Sequence, residues 1–260
     1  ALLKNAEVAH TLRKRGKEFG FSFENLNLDF SVAVKRSRQV SNRLVKGVGF
    51  LMKKNKIDVH MGTARLSGTN SVTVTDEEGK TTELSAKNII VATGASSMVP
   101  PAWKVDGEKV VTFLEAITQD KLPKSAIIIG AGAIGVEFAT VWNSYGADVT
   151  IVEMLPNLVP LEDEEVSVEL GKAFKKNGVK ALTGHKVESV EATKSGVRVE
   201  VSDSEGKKQT LEAEQALVAI GFRPNSSDLG LEELGVAISD HGFIEIDERM
   251  VTNIPGIWAI

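Results

Sequence analysis

The 260-residue sequence predicts an α/β fold of two related units, each with a β-meander, the first unit incomplete. Three observations predict it. The first is IIIGAGAIGVE at 127–137, three glycines set between an apolar run and a helical pattern. The second is an internal repeat: MKKNKIDVHMGTA (52–64) is echoed by FKKNGVKALTGHK (174–186), and each copy leads into a hairpin with an acidic-glycine tip, Glu78-Gly79 and Glu205-Gly206. The third is that each copy closes on an apolar strand ending in glycine, VATG at 91–94 and VAIG at 218–221. Only the second copy is preceded by its own strand, glycine turn and helix. The matching opening of the first is expected upstream of Ala1.

Taken in order, Leu2, Ala6, Ala9 and Leu12 recur at helical spacing, so residues 1–15 read as a helix ended at Gly16. Val40, Leu44, Val48 and Leu51 mark a second helix over 31–55, with Lys35, Arg36, Arg38, Arg43 and Lys46 read as its solvated face. Residues 57–66, 71–75 and 81–85 read as strands, and 88–92 (NIIVA) as a fully apolar strand running into Thr93-Gly94-Ala95. Proline connectors at 99–101 and 122–124 precede a strand at 126–129, a helix over 134–145, Gly146 and a strand at 148–152, which together form a βαβ unit. A helix over 163–177 follows, then strands near 179–190, 196–202 and 208–213, and an apolar strand at 216–220.

Composition narrows the function. The formal net charge is −4, so no basic surplus points to nucleic acid or an anionic membrane. No uncharged apolar run approaches the roughly 18 residues that read as a bilayer span. The absence of cysteine excludes a disulfide scaffold or thiolate metal site within these residues. The chain opens on ALLKN without a secretory pattern and stops at IWAI, so both ends read as cut and the protein is expected not to be secreted.

The glycine motif carries the chemistry because its context is right, with an apolar strand before it and a helix after it. Gly130 permits a tight turn, Gly132 removes the Cβ that would block a pyrophosphate, and Gly135 lets helix and sheet approach. The helix N-terminus offers free N–H groups and a positive dipole end to phosphates. Glu153 ends the next strand, 18 residues after Gly135. A carboxylate there accepts from a ribose 2′-hydroxyl and repels a 2′-phosphate; no Arg or Lys follows in Met154-Leu155-Pro156-Asn157, which favours NAD over NADP. Glu137, placed in the helix's first turn, has two readings that the sequence supports equally. One is a carboxylate favouring the helix dipole by about 0.3–1 kcal/mol; the other is a group beside the nicotinamide.

Other constellations are plainer. The acidic run 162–165 reads as first-turn residues of a helix, not a metal site. His10, His60, His185 and His241 lack ligand spacing. Ser96-Ser97 has no partnering histidine signal. Phe19, Phe21, Phe23 and Phe30 read as core residues.

The order VATGA (91–95), IIIGAGAIGVE (127–137), Glu153, VAIGFRPN (218–225) and TNIPGIWAI (252–260) resembles the two-dinucleotide flavoprotein disulfide reductases, and within them the dihydrolipoamide dehydrogenase branch. The resemblance covers essentially the whole chain, and ALLKNAEVAH is similar to the helix that follows Cys-x-x-x-x-Cys in that family. It implies two FAD/NAD(P)-binding Rossmann-like units: a partial FAD-binding domain at 1–100, an NAD-binding domain at 101–225, and a return segment at 226–260. It implies FAD and NAD as cofactors, with dihydrolipoamide reducing a disulfide and electrons crossing the flavin to leave as hydride on NAD+. It implies that Gly130, Ala131, Gly132, Ala133, Ile134, Gly135, Val136, Glu137, Glu153, Val187 and Gly221 line NAD, and that Gly62, Thr93, Gly94 and Ala95 lie against FAD. Glu137 would sit near nicotinamide and flavin, and no catalytic residue or metal ligand is assigned within the chain.

The implied partners are a lipoyl-bearing protein of a 2-oxo acid dehydrogenase complex and, in the full-length protein, a second copy. The implied setting is a bacterial cytoplasm or a mitochondrial matrix. The cysteine pair, the first FAD phosphate turn and the lysine after the cysteines are expected before Ala1. The acidic residue after the PGxxAIG signature is expected beyond Ile260, and the C-terminal dimerisation domain with its His–Glu pair has no counterpart in the sequence. Phe222 stands where the common GRxPN motif has arginine. The alternatives are another enzyme of this architecture, such as mercuric reductase or an NADH-dependent oxidoreductase without the disulfide, and a nucleotide-binding module without turnover.

Overall fold

The computed structural model describes all 260 residues. They form two compact units, numbered independently of the two sequence copies: the first, Ala1–Lys46 with Ser97–Gly221, holds the glycine turn, and the second is Gly47–Ser96 with Phe222–Ile260.

Helix α1 (Leu2–His10) buries Leu2, Ala6 and Ala9, the spacing expected of one helix face. It does not stop at Gly16. The winding loosens over Thr11–Arg15, tightens over Gly16–Phe19, and ends at Gly20. Gly20 takes the left-handed conformation (φ 78°) that stops a helix; Gly16 stays right-handed (φ −51°) and is buried against Phe21 and Phe23. Three of the four phenylalanines expected in the core lie outside it: Phe19, Phe21 and Phe23 are about half exposed, and only Phe30 is buried. Phe21 and Phe23 stack with ring centres 6.1 Å apart, and the Arg15 guanidinium lies over the Phe19 ring at 5.2 Å. Asp29 starts α2 (Phe30–Lys54) by accepting from the N–H groups of Ser31 at 2.9 Å and Val32 at 3.3 Å.

Strands β1 (Thr63–Gly68), β2 (Ser71–Thr75) and β3 (Thr81–Ser85) make an antiparallel meander. The strand expected from residue 57 begins only at Thr63, because its partner ends there: Thr63 pairs with Thr75, and Asp76 already belongs to the hairpin turn. Strands β4 (Ile89–Val91) and β5 (Ala95–Ser97) follow.

Strand β6 (Val110–Val111) and the single-turn helix α3 (Phe113–Ala116) lead to the central βαβ of β7 (Ser125–Ile129), α4 (Ala133–Tyr145) and β8 (Asp148–Val152). Helix α5 (Glu164–Asn177) starts at Asp163, whose carboxylate accepts from the Glu165 N–H at 2.8 Å; that gives the acidic run its local role. The strand expected near 179–190 is two, β9 (Lys180–Leu182) and β10 (Lys186–Ala192), parted at Gly184 (φ 66°). Next come β11 (Val197–Ser202), β12 (Lys208–Ala213), β13 (Gln215–Val218), β14 (Phe222–Pro224) and β15 (Ile257–Ala259).

The first unit is built on a parallel sheet in the order β6-β13-β7-β8-β9. β7 is apolar from Ala126 to Ile129 because both its faces are covered. Ala126 and Ile128 join one core with Phe138, Ala139 and Trp142, while Ile127 and Ile129 join another with Val190, Val199 and Val201 of the β10–β12 meander. Leu2, Ala6 and Phe30 belong to the first of these cores, and Arg13 Nη1 donates to the last carbonyls of α4, Asn143 at 3.1 Å and Ser144 at 2.9 Å. Residues 1–46 therefore pack with the glycine-turn unit, where the sequence had grouped them with 47–100.

The second unit holds the β1–β3 meander and the parallel pair of β4 with β15, around Leu66, Val91, Leu231 and Ile257. The repeat is visible atom by atom in the two hairpin tips. Asp76 Oδ1 accepts from the N–H groups of Glu78 and Lys80 at 3.0 and 2.8 Å; Asp203 Oδ1 accepts from Glu205 and Lys207 at 3.0 and 2.9 Å. Gly79 and Gly206 both turn with positive φ, 81° and 79°.

Candidate functional site

The site of the first unit lies where β7 hands over to α4, at the carboxyl end of the parallel strands and with β13 and β8 on opposite sides of β7. This is the topological switch point at which open α/β sheets bind ligands. The three glycines of the turn differ in what a side chain would meet. A Cβ at Gly130 (φ 102°) would lie 2.3 Å from the Ala219 carbonyl oxygen, and one at Gly135 would lie 2.0 Å from the Gly130 carbonyl oxygen. The protein's own packing demands glycine at both. A Cβ at Gly132 would meet no protein atom within 4 Å, and its φ of −69° suits any residue. The chain's own packing therefore gives no reason for glycine at 132, and the space a Cβ would enter is open. Gly132 is also the N-cap of α4 and supplies no side chain to its first amides, unlike Thr112 of α3 and Asp163 of α5.

Glu153 lies beside this turn, just past β8, with 9% of its surface exposed. Its Oε2 accepts from the Ala131 N–H at 2.7 Å and its Oε1 from the Leu155 N–H at 2.8 Å. Its main chain is held as firmly, its N–H donating to Leu182 O and its carbonyl accepting from His185 N–H, both at 2.9 Å. A carboxylate has about four lone-pair positions, so two remain for a further donor pair such as a ribose diol. Sequence reasoning placed Glu153 at the crevice and missed its bond to Ala131, because which loop amide a side chain reaches is a matter of tertiary geometry.

Ala133 and Glu137 are exposed on α4, and Ile134 and Val136 are partly buried. Glu137 is the fifth residue of the helix, beyond the first turn where it had been placed, and the first turn carries no acidic residue. Its value to the helix dipole is correspondingly small, since that effect fades past the first turn. Val187 lies on β10, paired with Val201 and packed against the second core. Beside it, the Ser202 hydroxyl at 2.7 Å and the Lys186 ammonium at 3.0 Å hold the Glu188 carboxyl below the usual carboxylate range. Gly221 (φ 127°) accepts from the Met98 N–H at 2.9 Å and would give a Cβ open space.

In the second unit, Thr93, Gly94 and Ala95 form an exposed turn with Gly94 at φ 68°. Asn225 of GFRPN clamps it. Asn225 Nδ2 donates to Thr93 O at 3.1 Å, its N–H donates to Gly94 O at 3.0 Å, and it accepts from the Thr93 and Ser96 hydroxyls at 2.7 Å each. The GFRPN motif by itself assigns Asn225 no role, because its partners lie about 130 residues away in the chain. Gly62 has a packing reason to be glycine, since a Cβ there would lie 2.3 Å from Thr75 O.

No group of three or more His, Cys, Asp or Glu side chains is arranged to hold a metal ion, and no helix is long and apolar enough to cross a membrane. Two shallow concavities of about 250 and 360 Å³ lie elsewhere on the first unit, sharing Asn5, Leu28, Arg36 and Tyr145.

Known proteins resemble this chain in sequence and in fold. A dihydrolipoyl dehydrogenase from Mycobacterium leprae is 45% identical over 262 residues, covering 100% of this chain and 56% of the relative. One from Chlorobaculum tepidum is 42% identical over 260 residues, covering 100% and 55%. The chain thus spans about half the length of the curated relatives it matches. Among solved structures, LpdA from Mycobacterium tuberculosis superposes with a TM-score of 0.89 at 27% identity, over 99% of this chain and 56% of that one. The HOCl-induced flavoprotein disulfide reductase RclA from Escherichia coli gives 0.80 at 26% identity, over 100% and 54%. The family model described as pyridine nucleotide-disulphide oxidoreductase matches residues 1–260, and the chain belongs to that family.

Proposed function

We propose that this chain carries the NAD site and part of the FAD site of a dihydrolipoyl dehydrogenase, a flavoprotein oxidoreductase that passes electrons from dihydrolipoamide through a disulfide and FAD to NAD+. A lipoyl-bearing protein of a 2-oxo acid dehydrogenase complex is the electron donor in this reading. The relatives named dihydrolipoyl dehydrogenase support the activity; the glycine turn supports the nucleotide. Residues 130–132 and the first amides of α4 would hold the pyrophosphate of NAD, and Glu153 the adenosine ribose. The exposed turn Thr93-Gly94-Ala95 would lie against FAD. When bound, NAD+ supplies a hydride acceptor and FAD a two-electron relay. The chain's own residues bind and orient.

The observation that carries the reading is the open space at Gly132. Gly132→Ala is expected to leave the fold as stable as wild type or raise it by about 0.4–1 kcal/mol, because alanine fits this backbone and narrows the unfolded ensemble. The same variant is expected to bind NADH at least tenfold more weakly, since the new methyl stands where the pyrophosphate must approach. Fluorescence titration with NADH alongside thermal melting measures both. Undiminished binding would refute the cradle.

A second reading is favoured by the absence of cysteine from the 260 residues: the chain alone binds nucleotide without dithiol turnover. It is expected to show no lipoamide-dependent oxidation of NADH, and turnover above background would overturn that expectation.

A further inference from the structure

Ala131 lies in the middle of the glycine turn, buried, with both of its backbone polar groups engaged. Its N–H donates to Glu153 Oε2, and its carbonyl accepts from the Val159 N–H at 2.9 Å. Val159 makes that bond from a backbone conformation it has two reasons to avoid. It is β-branched, and it precedes Pro160, which disfavours all but extended conformations, yet its φ is +42°. Of the non-glycine residues with positive φ (Lys56, Val159, Asp228 and Met250), it is the β-branched one. Such a conformation persists only where its surroundings over-determine it.

The surroundings do so here. Leu158 is buried in the core of the first unit, and the Val159 carbonyl accepts from the Glu162 N–H at 2.9 Å. At the other end of the loop, the Leu155 N–H donates to Glu153 Oε1, and its carbonyl accepts from the Gly184 N–H at 2.9 Å. The loop 154–162 is thus irregular but tied at both ends and to the turn. We infer that Val159 is a positioning residue of the glycine turn. Its strained amide straps the loop to Ala131 and holds that peptide in the orientation in which the turn receives a pyrophosphate. The inference rests on reading the turn as a dinucleotide cradle.

Two substitutions and one exchange measurement test it in the 260-residue chain. Val159→Gly keeps the N–H and accepts positive φ without strain; it is expected to bind NADH within about twofold of wild type and to melt at a higher temperature. Val159→Pro removes the N–H and forbids positive φ; it is expected to raise the Kd for NADH at least tenfold while circular dichroism shows a folded protein. A role in stability alone would move melting temperature and leave Kd in place. A folded Val159→Pro that binds NADH like wild type overturns the inference. Hydrogen exchange decides independently should Val159→Pro fail to fold. The Val159 amide of wild type is expected to exchange slowly without ligand and more slowly with NADH, and exchange at the rate of an open loop overturns the strap. If wild type binds no NADH at all, the cradle reading falls and the inference with it, an outcome the exchange rate tells apart from failure of the strap alone.

Discussion

Gly130→Ala is expected to lower stability by about 2–6 kcal/mol and to abolish NADH binding in whatever remains folded. Two costs add. An alanine held at φ 102° carries about 1–3 kcal/mol of backbone strain. Its Cβ would stand 2.3 Å from the Ala219 carbonyl oxygen, an overlap that costs about 1–3 kcal/mol more if the neighbour cannot move. Ala219 cannot move far, because its N–H donates to the Ile129 carbonyl at 2.8 Å, at the end of β13 where it pairs with β7. Against the roughly 5–15 kcal/mol that holds a typical domain together, the loss is large. Urea unfolding followed by circular dichroism reads it. Gly132→Ala makes the same chemical change two residues along, where the methyl meets nothing, so a pair of variants separates a glycine needed by the fold from one needed by the ligand. Wild-type stability in Gly130→Ala would mean that the turn is not held as described.

What the sequence showed of this site is what local rules can show. The run Ile127–Ile129 reads as an inner strand because both sheet faces are covered, and the tight turn at Gly130 and the close approach at Gly135 are legible because strand, turn and helix are contiguous in the chain. The two hairpin tips repeat because an Asx-type turn is specified by a handful of neighbouring residues. The misses concern distant partners. Gly16 looks like a helix stop, but burial against Phe21 and Phe23 keeps it right-handed and passes the role to Gly20. Phe19, Phe21 and Phe23 look like core, but burial depends on what covers a residue, which no local pattern states. The grouping of α1 with α4 rests on Leu2 and Ala6 sharing a core with Phe138 and Trp142, and on Arg13, just past α1, reaching carbonyls about 130 residues away. Asn225 stands in a recognisable motif, but nothing local says that it reaches Thr93; Val159 had no signal, since it reaches Ala131 and a valine before a proline reads as extended chain.

Replacing Glu153 is expected to have the largest effect on ligand binding while leaving a folded protein. In Glu153→Gln one carboxylate oxygen becomes an amide donor. Both oxygens already accept a backbone N–H, from Ala131 and Leu155, so one buried N–H is left facing a donor, at about 1–3 kcal/mol. The ribose loses a charged acceptor worth about 1.5–3 kcal/mol. At about 1.4 kcal/mol per decade, the ribose loss alone raises the Kd for NADH roughly ten- to a hundredfold. NADPH is expected to lose less or to gain, because removing the charge lifts the repulsion of a 2′-phosphate. The ratio of the two affinities, measured by fluorescence titration at one ionic strength, therefore carries the argument, since a distorted turn would weaken both nucleotides alike. A ratio that favours NADH in the wild type and collapses in Glu153→Gln places the carboxylate on the ribose. A ratio that does not change, with stability lowered, would leave Glu153 as a staple of the Ala131 turn and nothing more.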